Sequence, residues 1–168
     1  HVFQWQHIHA ALTNQRMPQS LLLVGPRHAG VASFASRLAS ILLCHDEKKP
    51  CYQCSSCLLV KAGTHSDLKI IQPETPGGVI KIDQIRSLQE DVYQTPKCGE
   101  NQVVLIEPVD RMNRAASNAL LKVLEEPPST VYFILVAEQM GTLPATILSR
   151  CQKIMFSDSK FDPTQYLL

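Results

Sequence analysis

A continuous apolar run, Leu21-Leu22-Leu23-Val24, passes directly into Gly25-Pro26-Arg27-His28-Ala29-Gly30. Apolar residues at helical spacing follow: Val31, Phe34, Leu38, Ile41 and Leu42. A strand with no polar alternation must be buried on both faces, which points to a parallel sheet covered by helices. The rest of the chain repeats the pattern. Strands are predicted around Asp67 to Gln72, at Val103 to Ile106, at Val131 to Val136 and at Lys153 to Phe156. Helices are predicted over Trp5 to Asn14, over Val31 to Leu43 and through Ile82, Ile85, Leu88 and Val92. Asn113 can cap another that runs to about Leu124, where Pro127-Pro128 must end it, and Pro144 can start a short turn. The expectation is an α/β domain with a five-stranded parallel sheet and helices on both faces. A chain of 168 residues has room for one such core and a small insert. No apolar run approaches a membrane span. The opening His1-Val2-Phe3-Gln4-Trp5 has no secretory signal pattern and no initiator Met, as expected of a trimmed chain.

The strand-turn-helix at Gly25 to Gly30 has the frame of a phosphate loop, G-x-x-x-x-G-K-[ST]. In a working loop the backbone N–H groups cradle phosphate, the Lys reaches the β/γ oxygens and the hydroxyl binds Mg²⁺. Here both glycines stand at the right spacing, but the Lys position is Val31 and the hydroxyl position is Ala32. Neither side chain can donate to phosphate or ligate a metal. The second half of such a site lies at the end of a later strand, where an Asp supports Mg²⁺ and a Glu polarises water. The corresponding pair here is Glu107-Pro108, and Pro108 cannot act as a base. The residues therefore predict a vestigial site with no ATP bound and no hydrolysis. Arg27, His28 and Ser33 remain as residues that can hold an anion at the helix N-terminus. The plainer reading is an ordinary strand-to-helix turn.

Four of the six cysteines crowd into fourteen residues: Cys44, Cys51, Cys54 and Cys57. Without a secretion signal this spacing reads as metal before disulfide. Four thiolates form a closed tetrahedral set, which predicts structural Zn²⁺ in an insert spanning 44–57. His45 is a substitute ligand, but the thiolates already complete the shell. Lys48 and Lys49 offset part of the negative charge, and Cys98 and Cys151 read as unligated thiols. The alternative is a group of free cysteines. A formal net charge of +1 argues against a strongly basic nucleic-acid module.

Two longer stretches carry a resemblance. Asn118-Ala119-Leu120-Leu121-Lys122-Val123-Leu124-Glu125-Glu126-Pro127-Pro128 resembles the signature helix of bacterial clamp-loader AAA+ subunits, and Pro144-Ala145-Thr146-Ile147-Leu148-Ser149-Arg150-Cys151 resembles their Ser-Arg-Cys motif. The cysteine insert after the phosphate-loop helix and Gly63-Thr64-His65-Ser66-Asp67 before the second strand are similar to theirs as well. The resemblance covers nearly the whole chain. It implies the P-loop AAA+ sheet order 5-1-4-3-2 over residues 1–160, with 161–168 starting a lid or a disordered tail, and with the lid and collar domains absent here. The gamma and tau branches of that family keep Gly-Lys-Thr and Asp-Glu; the delta-prime branch has lost them, and this chain resembles the latter. The resemblance further implies a cytoplasmic, non-hydrolysing component of DNA polymerase III that works with gamma/tau and delta subunits, the sliding clamp and primer-template DNA. It implies that Arg150 projects as an arginine finger into a neighbour's ATP site. The residues alone leave Arg150 open to a plainer role, a structural arginine paired with a local carboxylate. They also show an acidic pair, Glu125-Glu126, at a helix C-terminus, where negative charge is unfavourable. Ala137-Glu138 departs from the polar sensor of working ATPases, and Lys122 is expected in solvent. The isolated chain is expected to be a monomer. Two rival readings stay open: an active gamma/tau-type ATPase, which needs Arg27 or His28 to replace the Lys, and a zinc-centred nucleic-acid-binding module.

Overall fold

The computed structural model describes residues 2–157. Five parallel strands form one sheet: β1 Ser20–Val24, β2 Leu68–Ile71, β3 Gln102–Ile106, β4 Val131–Ala137 and β5 Gln152–Met155, in the order β2-β3-β4-β1-β5. Read from the other edge this is the expected order 5-1-4-3-2. The helices are α1 Val2–Thr13, α2 Val31–Leu43, α3 Ser55–Ala62, α4 Ile82–Val92, α5 Arg114–Glu125 and α6 Ala145–Leu148. The expectation for 161–168 lies outside the described residues. Among the described residues, no helix is long and apolar enough to cross a membrane.

Side chains of a strand alternate between faces, so each apolar strand feeds two cores. Leu21 and Leu23 of β1 join Val103, Leu105, Ile134 and Val136 against α1, α2 and α3. Leu22 and Val24 join Val104, Ile106, Phe133 and Leu135 against α4, α5 and α6. This double cover is why β1 and β3 carry no polar alternation: all five residues of each are buried. The helix that contains Asn118 to Glu125 is set by its cap. The Asn113 side chain accepts the Ala116 N–H at 2.8 Å, and Ala116, Ala119, Leu120, Val123 and Leu124 then face the core while Lys122 stays exposed.

Several boundaries differ from expectation, most by one residue. Helix α1 begins at Val2 rather than Trp5, and β5 begins at Gln152 rather than Lys153. Strand β2 excludes Asp67, whose carboxylate accepts the N–H groups of Lys97 and Cys98, both at 2.7 Å. The largest difference is α3, which lies within and beyond the cysteine segment; Cys54 caps it and the left-handed Gly63 ends it.

Candidate functional site

Three places carry the residues singled out from sequence. The first is the turn after β1. Gly25 donates its N–H to Ala137 O at 3.1 Å, which ties the turn to the end of β4. A Cβ on Gly25 would lie 2.7 Å from Phe156 Cβ and 2.9 Å from Phe156 O, so glycine is required by a close backbone approach. A single 3-10 turn, Arg27–Ala29, leads to Gly30 at φ 72°, a left-handed position that starts α2. An open cleft of about 560 Å³ lies over this turn, lined in part by Gly25, Val31, Ala32, Glu107, Pro108 and Glu138. The structure thus brings together both halves of the motif read from sequence. Val31 is buried in the core under α2 and presents no cation; Ala32 is exposed and presents no hydroxyl. Burial raises the Glu107 carboxyl above its ordinary value, with Arg27 opposing the shift. Arg27 is ion-paired with Glu138, the residue that follows β4, and that carboxylate raises its pKa. The pairing of the turn's arginine with this carboxylate was not visible in sequence, because the two residues stand 111 apart.

The second place is the cysteine cluster. The Sγ atoms of Cys44, Cys51, Cys54 and Cys57 all lie within 4.8 Å of one another. Individual separations are 3.6 Å for Cys44–Cys51, 3.9 Å for Cys44–Cys54 and 4.0 Å for Cys51–Cys57. Four ligands at the Zn–S distance of about 2.3 Å on a tetrahedron stand about 3.8 Å apart. The separations match that edge and are far too long for a disulfide, about 2.05 Å. Backbone N–H groups point at two of the sulfurs: Cys54 N to Cys51 Sγ at 3.3 Å and Cys57 N to Cys54 Sγ at 3.4 Å. The Cys57 N–H draws the Cys54 thiol down to about 6, while burial pushes Cys57 up to about 12. Four crowded thiols cannot all ionise without a cation among them, and the donor set fits a soft divalent metal. Cys98 is exposed and Cys151 is buried, with burial pushing its thiol up to about 11; neither belongs to the cluster.

A buried network supports this cluster, and sequence reading missed it. His65 Nδ1 accepts the Asp67 N–H at 3.0 Å, so the proton of the neutral ring sits on Nε2. Nε2 then donates to Ser56 Oγ at 2.7 Å, and Ser56 donates to Leu43 O at 2.6 Å. The chain of bonds joins α3 to the last turn of α2, next to Cys44. Burial lowers the His65 pKa. The folded state therefore refuses a proton that the unfolded chain accepts below about pH 6.5, and stability drains away as pH falls through that value toward the lower folded one. His65→Gln cannot titrate. It is expected to lose about 1–3 kcal/mol at pH 7.5 and to show a flatter loss down to pH 5.5 than the native chain. Urea midpoints of both proteins at the two pH values check this; parallel profiles would contradict it.

The third place is Arg150. It sits between α6 and β5, at the N-terminal ends of the strands, whereas the turn at Gly25 lies at their C-terminal ends. A strand of five residues separates the two by about 16 Å. Arg150 therefore cannot serve the cleft of its own chain. Its Nη1 donates to Thr146 O at 2.9 Å and its Nη2 to Glu125 Oε1 at 2.8 Å. Pairing with a local carboxylate, the plainer of the two roles open from sequence, is thus present, and it answers the charge conflict at the end of α5.

Comparison with known proteins shows a family and a shared fold. The family described as "DNA polymerase III, delta subunit" matches residues 1–160. The chain is 40% identical over 148 residues to DNA polymerase III subunit delta' of Pseudomonas aeruginosa, covering 87% of this chain and 42% of that protein. It is 34% identical over 148 residues to DNA polymerase III subunit tau of Bacillus subtilis, covering 87% and 26%. A DNA polymerase III gamma subunit-related protein of Thermotoga maritima shares the fold with a TM-score of 0.61 at 21% identity, covering 89% of this chain and 45% of that one. The chain thus spans less than half the length of these relatives. The sheet order is the one expected from the sequence, and the fold is shared with that solved protein.

Proposed function

Because the chain belongs to the DNA polymerase III delta-subunit family, a clamp-loader family, we propose that it is the AAA+ domain of a subunit that hydrolyses no ATP itself and acts on a neighbour's. The observation that carries this reading is Val31. At the position where a working loop needs an ammonium, a side chain only 2 % exposed fills the core instead. Pro108 removes the base from the second half of the site, and Ala32 removes the metal-binding hydroxyl.

The finer assignments follow from the same reading. Arg150 lies at the end of the sheet away from its own cleft, so any nucleotide it touches belongs to another molecule. A guanidinium brought to a neighbour's γ-phosphoryl stabilises the charge that develops on it during transfer. Cys44, Cys51, Cys54 and Cys57 would hold Zn²⁺ as a closed structural site, with no open position for chemistry. Further lid and collar domains would place the full-length protein beside gamma/tau-type and delta-type subunits, and through the assembly it would take part in loading the sliding clamp onto primed DNA. The test is an ATPase assay with the full-length protein. Alone it should show no Mg²⁺-dependent turnover, and activity should appear only when a gamma/tau-type subunit is added. Turnover by the protein alone, abolished when Gly30→Val disrupts the turn, would favour an active ATPase.

A further inference from the structure

We propose that Glu125 is the positioning residue of Arg150, holding the guanidinium ready before the neighbouring subunit arrives; this rests on the trans-acting reading of Arg150. Glu125 ends α5, where a negative charge is unfavourable for the helix itself. The arginine that relieves it lies 25 residues on, with Nη2 at 2.8 Å from Glu125 Oε1. Two further acceptors fix the same group: Thr146 O at 2.9 Å and Ser149 Oγ at 3.4 Å, both from Nη1. Ser149 is itself held, its Oγ donating to Thr146 O at 3.0 Å.

The pattern of donors makes this a preset arrangement. A guanidinium carries five N–H donors in a rigid fork. Nη1 donates to two of these acceptors and Nη2 to the third, and none of these bonds uses Nε–H. Nε–H and one Nη2–H form one side of the fork. That pair can meet two oxygens of a phosphoryl group side-on, while Glu125 keeps its hold on the opposite part of Nη2. The arginine side chain is 33% exposed and the glutamate 47%, so the pair is open to a second molecule. An arginine side chain loses much rotamer freedom when fixed, and three acceptors remove that freedom in advance of docking. Glu125 thus acts through Arg150 and touches no nucleotide.

The experiment uses the loader reconstituted from full-length subunits, with ATP turnover as the readout and assembly checked by size-exclusion chromatography. Glu125→Gln is expected to lower turnover at saturating ATP by about three- to tenfold, with KM for ATP unchanged within about twofold. Glu125→Asp is expected to recover part of the loss. In an Arg150→Ala background, Glu125→Gln should have no further effect, since the two groups act as one unit. A merely structural glutamate would lower turnover in both backgrounds, and that result overturns the proposal. So does unchanged or raised turnover for Glu125→Gln while Arg150→Ala alone lowers it; the arginine reading then stands without its positioner. Unchanged turnover for Arg150→Ala overturns the arginine reading and this inference together.

Discussion

Arg150→Ala in the reconstituted loader is expected to lower ATP hydrolysis at the site it faces by about 10³ to 10⁵, the range by which trans-acting arginines raise phosphoryl transfer. That corresponds to about 4–7 kcal/mol of transition-state stabilisation. The size follows from where the charge acts. In the free chain Arg150 is partly in water, and its pair with Glu125 contributes little, about 0–1 kcal/mol. Against a transferring phosphoryl in a closed interface the same guanidinium meets developing charge at low dielectric, where preorganised donors count for far more. The stability of this chain should therefore barely change, while turnover at the neighbour's site collapses. Arg150→Lys should recover little, because an ammonium has neither the planar fork nor the geometry set by Thr146 O and Glu125. Single-turnover hydrolysis resolves the one affected site from others in the assembly. Unchanged rates with intact assembly would leave Arg150 as the partner of Glu125 and nothing more.

The second large effect concerns metal. Protein prepared without chelator is expected to carry one Zn²⁺ per chain, and its removal, or Cys54→Ser, to lower the melting midpoint by about 10 °C or more. Structural zinc sites bind with apparent free energies of about 10–16 kcal/mol. Whole domains are stable by about 5–15 kcal/mol. If only about 4 kcal/mol of the metal's contribution is coupled to the rest of the domain, a shift of that size follows for a chain of this length. The coupling has a route: Cys44 caps α2 and Cys54 caps α3, and Ser56 and His65 tie the two helices together. Hydrogen exchange should accordingly rise first across 44–62 and then in the last turn of α2. The central strands β1, β3 and β4, covered on both faces, should hold longer. A midpoint unmoved by Cys54→Ser, or protein with no stoichiometric zinc, would return the cluster to four free thiols.

Legibility in the sequence tracked how local each cause was. The run Leu21 to Val24 and the Asn113 cap act within a few residues, so β1 and α5 could be read directly. Helix α3 could not. It is eight residues long, and its helical frame comes from a Cys54 cap, which resembles metal-ligand spacing more than a helix start. Asp67 looked like the first residue of a strand, because nothing nearby reveals that Lys97 and Cys98 bring their N–H groups to it. At the candidate sites, the missing chemistry of Val31, Ala32 and Pro108 was legible, since a substituted motif is a local fact. The partners were not. Arg27 and Glu138 meet only because β1 and β4 are neighbours in the sheet. Arg150 and Glu125 meet only where α6 folds back on the end of α5, although the unfavourable charge of Glu125 at a helix C-terminus was itself legible.

We propose that the AAA+ frame persists here without nucleotide chemistry of its own. The most direct test is a titration of the chain with a fluorescent ATP analogue, with and without Mg²⁺, read by fluorescence anisotropy. Val31 supplies no ammonium and Ala32 no metal-binding hydroxyl, while Glu138 occupies Arg27, so no Mg²⁺-dependent binding is expected below millimolar analogue. A Mg²⁺-dependent Kd in the micromolar range would instead make this chain a nucleotide-binding subunit in its own right.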